Sequence, residues 1–153
     1  MRVFLDTNVL VSAFASRGLC ADLFELILFE RELIVGTRVL VELRRAMRQK
    51  IKLPAARADE IVEFVREHTN TLVESGEPIV AAVDDDDARV IGEAIAGRAD
   101  VFVTGDTAIQ RLGGRMRILS PRAFWDYLHA GARIAHHGRA SLNRMRQIEA
   151  GYT

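Results

Sequence analysis

The chain has a single cysteine, Cys20, so it cannot close an internal disulfide. In the apolar setting Leu19-Cys20-Ala21 that thiol reads as a small core residue rather than a nucleophile. No stretch approaches the roughly 18 apolar residues of a membrane span, and the N-terminus lacks a basic region leading into a long apolar run with a cleavage site. These absences lead us to expect a soluble, cytoplasmic protein with no membrane contact. Internal repeats and low-complexity tracts are missing too, which argues against a solenoid and against extensive disorder. Net charge is absent as well, since 21 bases balance 21 acids.

What is present is a segregation of that charge. Residues 38–57 carry seven bases (Arg38, Arg44, Arg45, Arg48, Lys50, Lys52 and Arg57) against the one acid Glu42. Residues 59–106 reverse the balance, with thirteen acids against Arg66, Arg89 and Arg98, and the remainder of the chain is again rich in arginine. Acids gathered centrally and flanked by bases suit a metal site beside a groove for a polyanion, although separately solvated helix faces would give the same count.

At 153 residues the chain suits one domain with a real core. Its opening stretch organises the rest. Val3-Phe4-Leu5 is a short apolar run that stops at Asp6-Thr7-Asn8, after which Val9 to Phe14 resumes a helical pattern. That reads as strand, acidic turn, helix. Asp6 is then either a helix cap or, in an open parallel sheet whose ligands sit beyond the carboxyl ends of the strands, a functional carboxylate. A second helix is expected over Ala21–Phe29 and a second strand over Leu33–Gly36. Thr37 is the expected cap of a helix from Arg38 to about Lys50, with Val39, Leu40, Leu43, Ala46 and Met47 inward and Arg44, Arg45 and Arg48 opposite. Glu42 falls at the edge of the apolar stripe, where a half-buried carboxylate needs a positive partner.

Pro54 opens a further helix to about His68, and Thr71-Leu72-Val73 forms a third strand. A loop beginning at Gly76-Glu77-Pro78 leads to Asp84-Asp85-Asp86-Asp87 and a helix through Ala96. Asp84 fits its cap, and its neighbours suit the helix dipole. Asp87 alone stands one turn before Val90 and Ile91, on the inward side. Ala99 to Val103 is a fourth strand that stops at Thr104-Gly105-Asp106, repeating the opening design. Arg117-Ile118-Leu119 is a fifth, followed by a helix capped at Ser120-Pro121. Alternating strands and helices predict an α/β fold: a parallel sheet of four to five strands with helices on both faces.

Strands one and four, if adjacent at a topological switch point, bring Asp6 and Asp106 to one crevice. Oxygen-only ligands with no His or Cys cluster select a hard cation, so Mg2+ or Mn2+ is implied rather than zinc or iron, and metal-assisted phosphodiester hydrolysis follows.

Val-Phe-Leu-Asp-Thr-Asn-Val-Leu at 3–10, Val-Glu-Leu at 41–43, Asp-Asp-Ala-Arg-Val-Ile at 86–91 and Val-Phe-Val-Thr-Gly-Asp at 101–106 together resemble the PIN-domain ribonucleases, in particular the VapC-like toxins of type II toxin–antitoxin systems. The resemblance covers about residues 1–130. It implies a three-layer α/β/α sandwich, metal-dependent cleavage of single-stranded RNA, and a homodimer held by an antitoxin. By position it implies Asp6, Glu42, Asp87 and Asp106 as the metal-binding acids, with Asn8 and Thr104 orienting them. The pattern departs from the usual one at Asp85, where a proline is common. Arg44, Arg45 and Arg48 are the expected RNA-binding cations. Residues 131–153 form a basic extension outside the pattern; Leu142, Met145 and Ile148 recur there at three-residue intervals, near Arg139, Arg144 and Arg146, as in a short amphipathic helix.

Two other enzyme classes also place acids at strand ends. A haloacid-dehalogenase-like phosphatase needs a second Asp two residues after the first, where Asn8 stands. A receiver domain needs a phosphorylatable Asp after its third strand, and none lies near Val73. A PIN fold that binds RNA or a protein without cutting is the remaining alternative.

Overall fold

The computed structural model describes residues 1–74, 86–112, 114 and 116–130, together with the backbone of Asp85. The extension 131–153 with its expected helix, the loop at Gly76-Glu77-Pro78, and the side chains of Asp84 and Asp85 lie outside the described residues.

Five parallel strands form one sheet: β1 (Arg2–Leu5), β2 (Glu32–Gly36), β3 (Thr71–Val73), β4 (Val101–Val103) and β5 (Arg117–Leu119). Their order is β3-β2-β1-β4-β5. The chain steps outward from β1 to β3, then crosses back to the far side of β1, so the switch point falls between β1 and β4. The helices are α1 (Thr7–Ala15), α2 (Leu19–Glu30), α3 (Thr37–Gln49), α4 (Ala55–His68), α5 (Asp85–Ala96), α6 (Thr107–Gln110) and α7 (Pro121–His129). Helices α1, α2, α3, α4 and α7 pack on one another, whereas α5 packs on β2 and β3. Right-handed crossovers account for this: connections running in opposite directions along a parallel sheet lay their helices on opposite faces.

The central strands are buried on both faces and therefore read as unbroken apolar runs. Val3, Phe4 and Leu5 in β1 and Val101, Phe102 and Val103 in β4 are all buried, and the Phe4 and Phe102 rings stack at 5.3 Å. A second aromatic cluster fixes the helical layer, where Phe14 meets Phe24 at 5.4 Å and Phe64 at 5.9 Å. Arg2 fastens the opposite edge of the sheet, donating from Nη2 to the Gly97 carbonyl at 2.7 Å and from Nη1 to Glu32 at 2.8 Å.

Two local details differ from the sequence expectation. The cap of α3 is Gly36, not Thr37; Thr37 is the first helical residue, and its hydroxyl donates to the Glu74 carbonyl at 2.9 Å, a competing acceptor on the chain leaving β3. The short helix α6 was not anticipated, since four residues are too few to show a helical period.

Candidate active site

Register brings the two acidic strand ends together. Leu5 lies opposite Val103 in the β1–β4 ladder, so Asp6 and Thr104 leave the sheet side by side. The Asp6 amide donates to the Val103 carbonyl at 3.0 Å, which continues the pairing one residue beyond the strand. Asp6 Oδ1 accepts from the Thr7 amide at 2.8 Å and so caps α1. Asp6 Oδ2 accepts from the Thr104 hydroxyl at 2.6 Å. The same Thr104 oxygen accepts from the Asp106 amide at 3.0 Å. One buried hydroxyl thus links both acidic turns. Asp106 in turn caps α6, with Oδ1 accepting from the Ala108 and Ile109 amides. Asp6 and Asp106 are helix caps at neighbouring strand ends, so the capping role does not exclude a functional one.

Burial pushes the Asp6 carboxyl above its ordinary value of 3.8; the Thr104 hydroxyl and Thr7 amide pull it down, and the Asp106 charge pushes it up again. A carboxyl raised by burial and by a neighbouring negative charge, as Asp6 is, would be relieved by a cation.

The other candidates surround this pair from the helices. Glu42 on α3 is half-buried, at the edge of the apolar stripe as its spacing predicts, and no hydrogen bond or ion pair engages it among the described residues. In the aspartate run, Asp86 is exposed and meets Arg38 Nη1 at 3.3 Å, whereas Asp87 is partly buried. Asn8 is exposed at the start of α1. Among the described residues no three acidic side chains stand together as a closed metal-ligand set. The donor chemistry, carboxylate oxygen throughout, fits a hard cation.

The PIN-domain family profile matches residues 2–108, which takes in β1 through β4 and both acidic turns. The chain belongs to the PIN-domain family. A search among curated proteins returned no match. Among solved structures, the fold is similar to a chain in the crystal structure of VapBC2 from Rickettsia felis bound to a DNA fragment from their promoter. That match has a TM-score of 0.59 and 14% identity, covering 78% of this chain and 98% of that one.

In this PIN domain the three arginines expected to bind RNA part company. Arg44 Nε is paired with Asp59 on α4 at 2.6 Å, and Arg48 Nη1 donates to the Leu53 carbonyl at 3.0 Å, so both brace α3 against the segment that follows it. Arg45 has no such partner among the described residues. It lines two neighbouring cavities, of about 370 and about 200 Å³, that meet at Glu42.

Glu93 was not anticipated. It is 1% exposed and reaches from α5 to the start of α3. There Oε1 accepts from the Arg38 amide at 3.4 Å, while Oε2 has no hydrogen-bond partner among the described residues. Burial raises its carboxyl above the ordinary 4.5; the Arg38 amide and charge oppose this, and Glu42 adds to it. The Gly36 backbone makes the space, since a Cβ there would overlap the Glu93 carboxylate. A signal existed: Glu93 follows Val90 by three residues, on the inward face of α5.

Proposed function

We propose that this PIN domain is a metal-dependent endoribonuclease that hydrolyses phosphodiester bonds of single-stranded RNA. The observation that carries the reading is the Thr104 hydroxyl shared between Asp6 and the turn of Asp106 at the β1–β4 switch point, which holds two carboxylates in one crevice. Membership of the PIN family supports it. Asp6 and Asp106, with Glu42 and Asp87 from the flanking helices, would hold Mg2+ or Mn2+. When bound, such an ion supplies an activated water and neutralises charge on the phosphoryl oxygens. The chain's own contribution is to offset the burial of Asp6 through two short hydrogen bonds to its oxygens, and to fix Asp106 through its backbone amide. Asn8 and Thr104 are positioning residues in this reading.

The likeness to a chain of a VapBC2 assembly supports a finer reading, the toxin of a toxin–antitoxin pair; in that reading the chain would act in the cytoplasm as a homodimer bound to its antitoxin. A PIN fold that binds without cutting is the competing reading, favoured by the absence of a closed three-acid set among the described residues.

Cleavage of single-stranded RNA separates them. Hydrolysis is expected with Mg2+ or Mn2+, with little turnover in Ca2+, and it should disappear after EDTA treatment and return with added metal. Activity that survives exhaustive metal removal overturns the proposal. Within the aspartate run, Asp87→Asn is expected to abolish cleavage and Asp85→Asn to retain most of it; the reverse result would place the ligand two residues earlier. Growth arrest on induced expression, relieved by a neighbouring small DNA-binding protein, tests the toxin reading.

A further inference from the structure

Arg38, Glu42, Arg45 and Gln49 recur at intervals of four, three and four residues, which aligns them on one face of α3. Val41, Arg44 and Arg48 form a separate stripe, rotated about 100° away. The first stripe walls both cavities. The larger is lined by Thr37, Arg38, Val41, Glu42, Arg45 and Asp86. The smaller lies on the far side of Glu42 and Arg45, reaching Thr7, Asn8, Gln49 and Lys50 beside the Asp6 turn. Glu42 and Arg45 stand three residues apart, a spacing at which opposite charges on a helix normally pair. Yet no ion pair joins them among the described residues, and Arg45 is exposed with no other partner there.

We infer that the Arg38–Glu42–Arg45 stripe is the track of the RNA backbone, with one phosphate held in each cavity on either side of the bond to be cut, and that Arg44 and Arg48 are structural. The inference rests on the proposed nuclease function for its ligand, single-stranded RNA. A carboxylate at the centre of the stripe repels a phosphate that has no cation beneath it, so flanking phosphates settle over the arginines at either end. Among the described residues the one ion pair of the Arg38 guanidinium is with the exposed Asp86, which solvent weakens. Lys50 adds a third cation at the end of the smaller cavity. That cavity, at about 200 Å³, falls below the roughly 300 Å³ at which pockets for whole small ligands begin, and suits one unit of a polymer. Among the described residues neither cavity is lined by an aromatic ring, which fits a track that reads the backbone rather than stacking bases.

The test is equilibrium binding of a fluorescent single-stranded RNA hexamer in Ca2+, across a salt series, to wild type and to Arg38→Gln, Arg45→Gln, Arg44→Gln and Arg48→Gln. Arg45→Gln should weaken binding about tenfold and flatten the log–log salt slope by about 0.7, the loss of one phosphate contact to a single strand. Arg38→Gln should do the same, and the two together about twice as much. Arg44→Gln and Arg48→Gln should keep the wild-type affinity and slope. Equal losses at Arg44 and Arg45, or an unchanged slope in Arg45→Gln, overturns the track. The outcomes also separate it from the nuclease reading. Wild type that binds with this arginine pattern but cuts no RNA leaves the track standing and removes the nuclease. Wild type that cuts RNA with Arg45 silent does the opposite, and wild type that does not bind the hexamer overturns the track outright.

Discussion

Two strand ends in this sheet each hold a buried carboxyl, and they are built differently. At the β1–β4 junction both Asp6 oxygens are engaged, by the Thr7 amide at 2.8 Å and the Thr104 hydroxyl at 2.6 Å. At the β2–α3 junction Glu93 has one long bond of 3.4 Å to the Arg38 amide and, among the described residues, an oxygen with none. Burial raises both carboxyls above their ordinary values. Short donors on both oxygens favour the ionised form of Asp6 and keep it aimed, whereas Glu93 is left leaning towards its neutral form. A raised pKa alone therefore does not distinguish a working acid from a packed one in this PIN domain. Nor does a neighbouring carboxylate, since Asp106 acts on Asp6 and Glu42 on Glu93; the difference between the two lies in the donors around them.

The largest expected effect breaks the β1–β4 side. Asp6→Asn keeps the shape and the acceptor for Thr104 but removes the charge, so initial rates on single-stranded RNA at saturating Mg2+ should fall by at least about 10²–10³-fold with the thermal midpoint little changed. A variant retaining a tenth of the rate would mean that Asp6 is a cap and nothing more. Thr104→Val sharpens the same side, since it preserves volume but removes the hydroxyl that accepts from Asp106 and donates to Asp6. Mn2+ affinity by calorimetric titration should weaken by about 10–100-fold, the usual loss when an outer partner of a ligand is removed. Unchanged affinity would reduce Thr104 to core packing.

On the other side, Gly36→Ala drives a methyl into the Glu93 carboxylate, so that the buried Glu93 side chain must shift. Denaturant unfolding should show a loss of about 1–3 kcal/mol, as for overpacked cores. A neutral result would show that Glu93 swings clear at no cost.

The acids at the strand ends were legible because two apolar runs stop abruptly at Asp6 and at Thr104-Gly105-Asp106, and parallel strands carry their chemistry at that end. The arginines were legible only as a cluster. Sequence order puts Arg44 and Arg45 side by side, but helical geometry turns them about 100° apart, and the partner that occupies Arg44 is Asp59, fifteen positions on in another helix. Nothing local announces such a tertiary pair. Glu93 was hidden for the complementary reason: α5 was read through its apolar positions, and a carboxylate among them is visible only when the inward face is followed residue by residue. The cap of α3 moved from Thr37 to Gly36 because a tertiary acceptor, the Glu74 carbonyl, takes the hydroxyl that would have capped the helix.

The smallest effect concerns Glu93 itself and is read as a slope. Its folded value lies above the ordinary 4.5, so below pH 4.5 the carboxyl is protonated in both folded and unfolded chains and carries no ionic penalty. As pH rises through 4.5 towards the folded value, the unfolded chain releases the proton first, and stability falls across that window. Above it the penalty is constant. Glu93→Gln cannot titrate, so the wild-type minus variant stability should decline with rising pH through this window and then level off. Groups that do not interact with Glu93 are common to both chains and cancel in the difference; Glu42, whose charge acts on Glu93, adds to the same window. The amplitude should be about 1 kcal/mol, the low end for a buried polar atom left unpaired. Urea unfolding at a series of pH values between 4 and 7, within about those limits, measures it. A difference that rises with pH would mean that Glu93 is stabilised as the anion, by Arg38, and the contrast between the two strand ends would then dissolve.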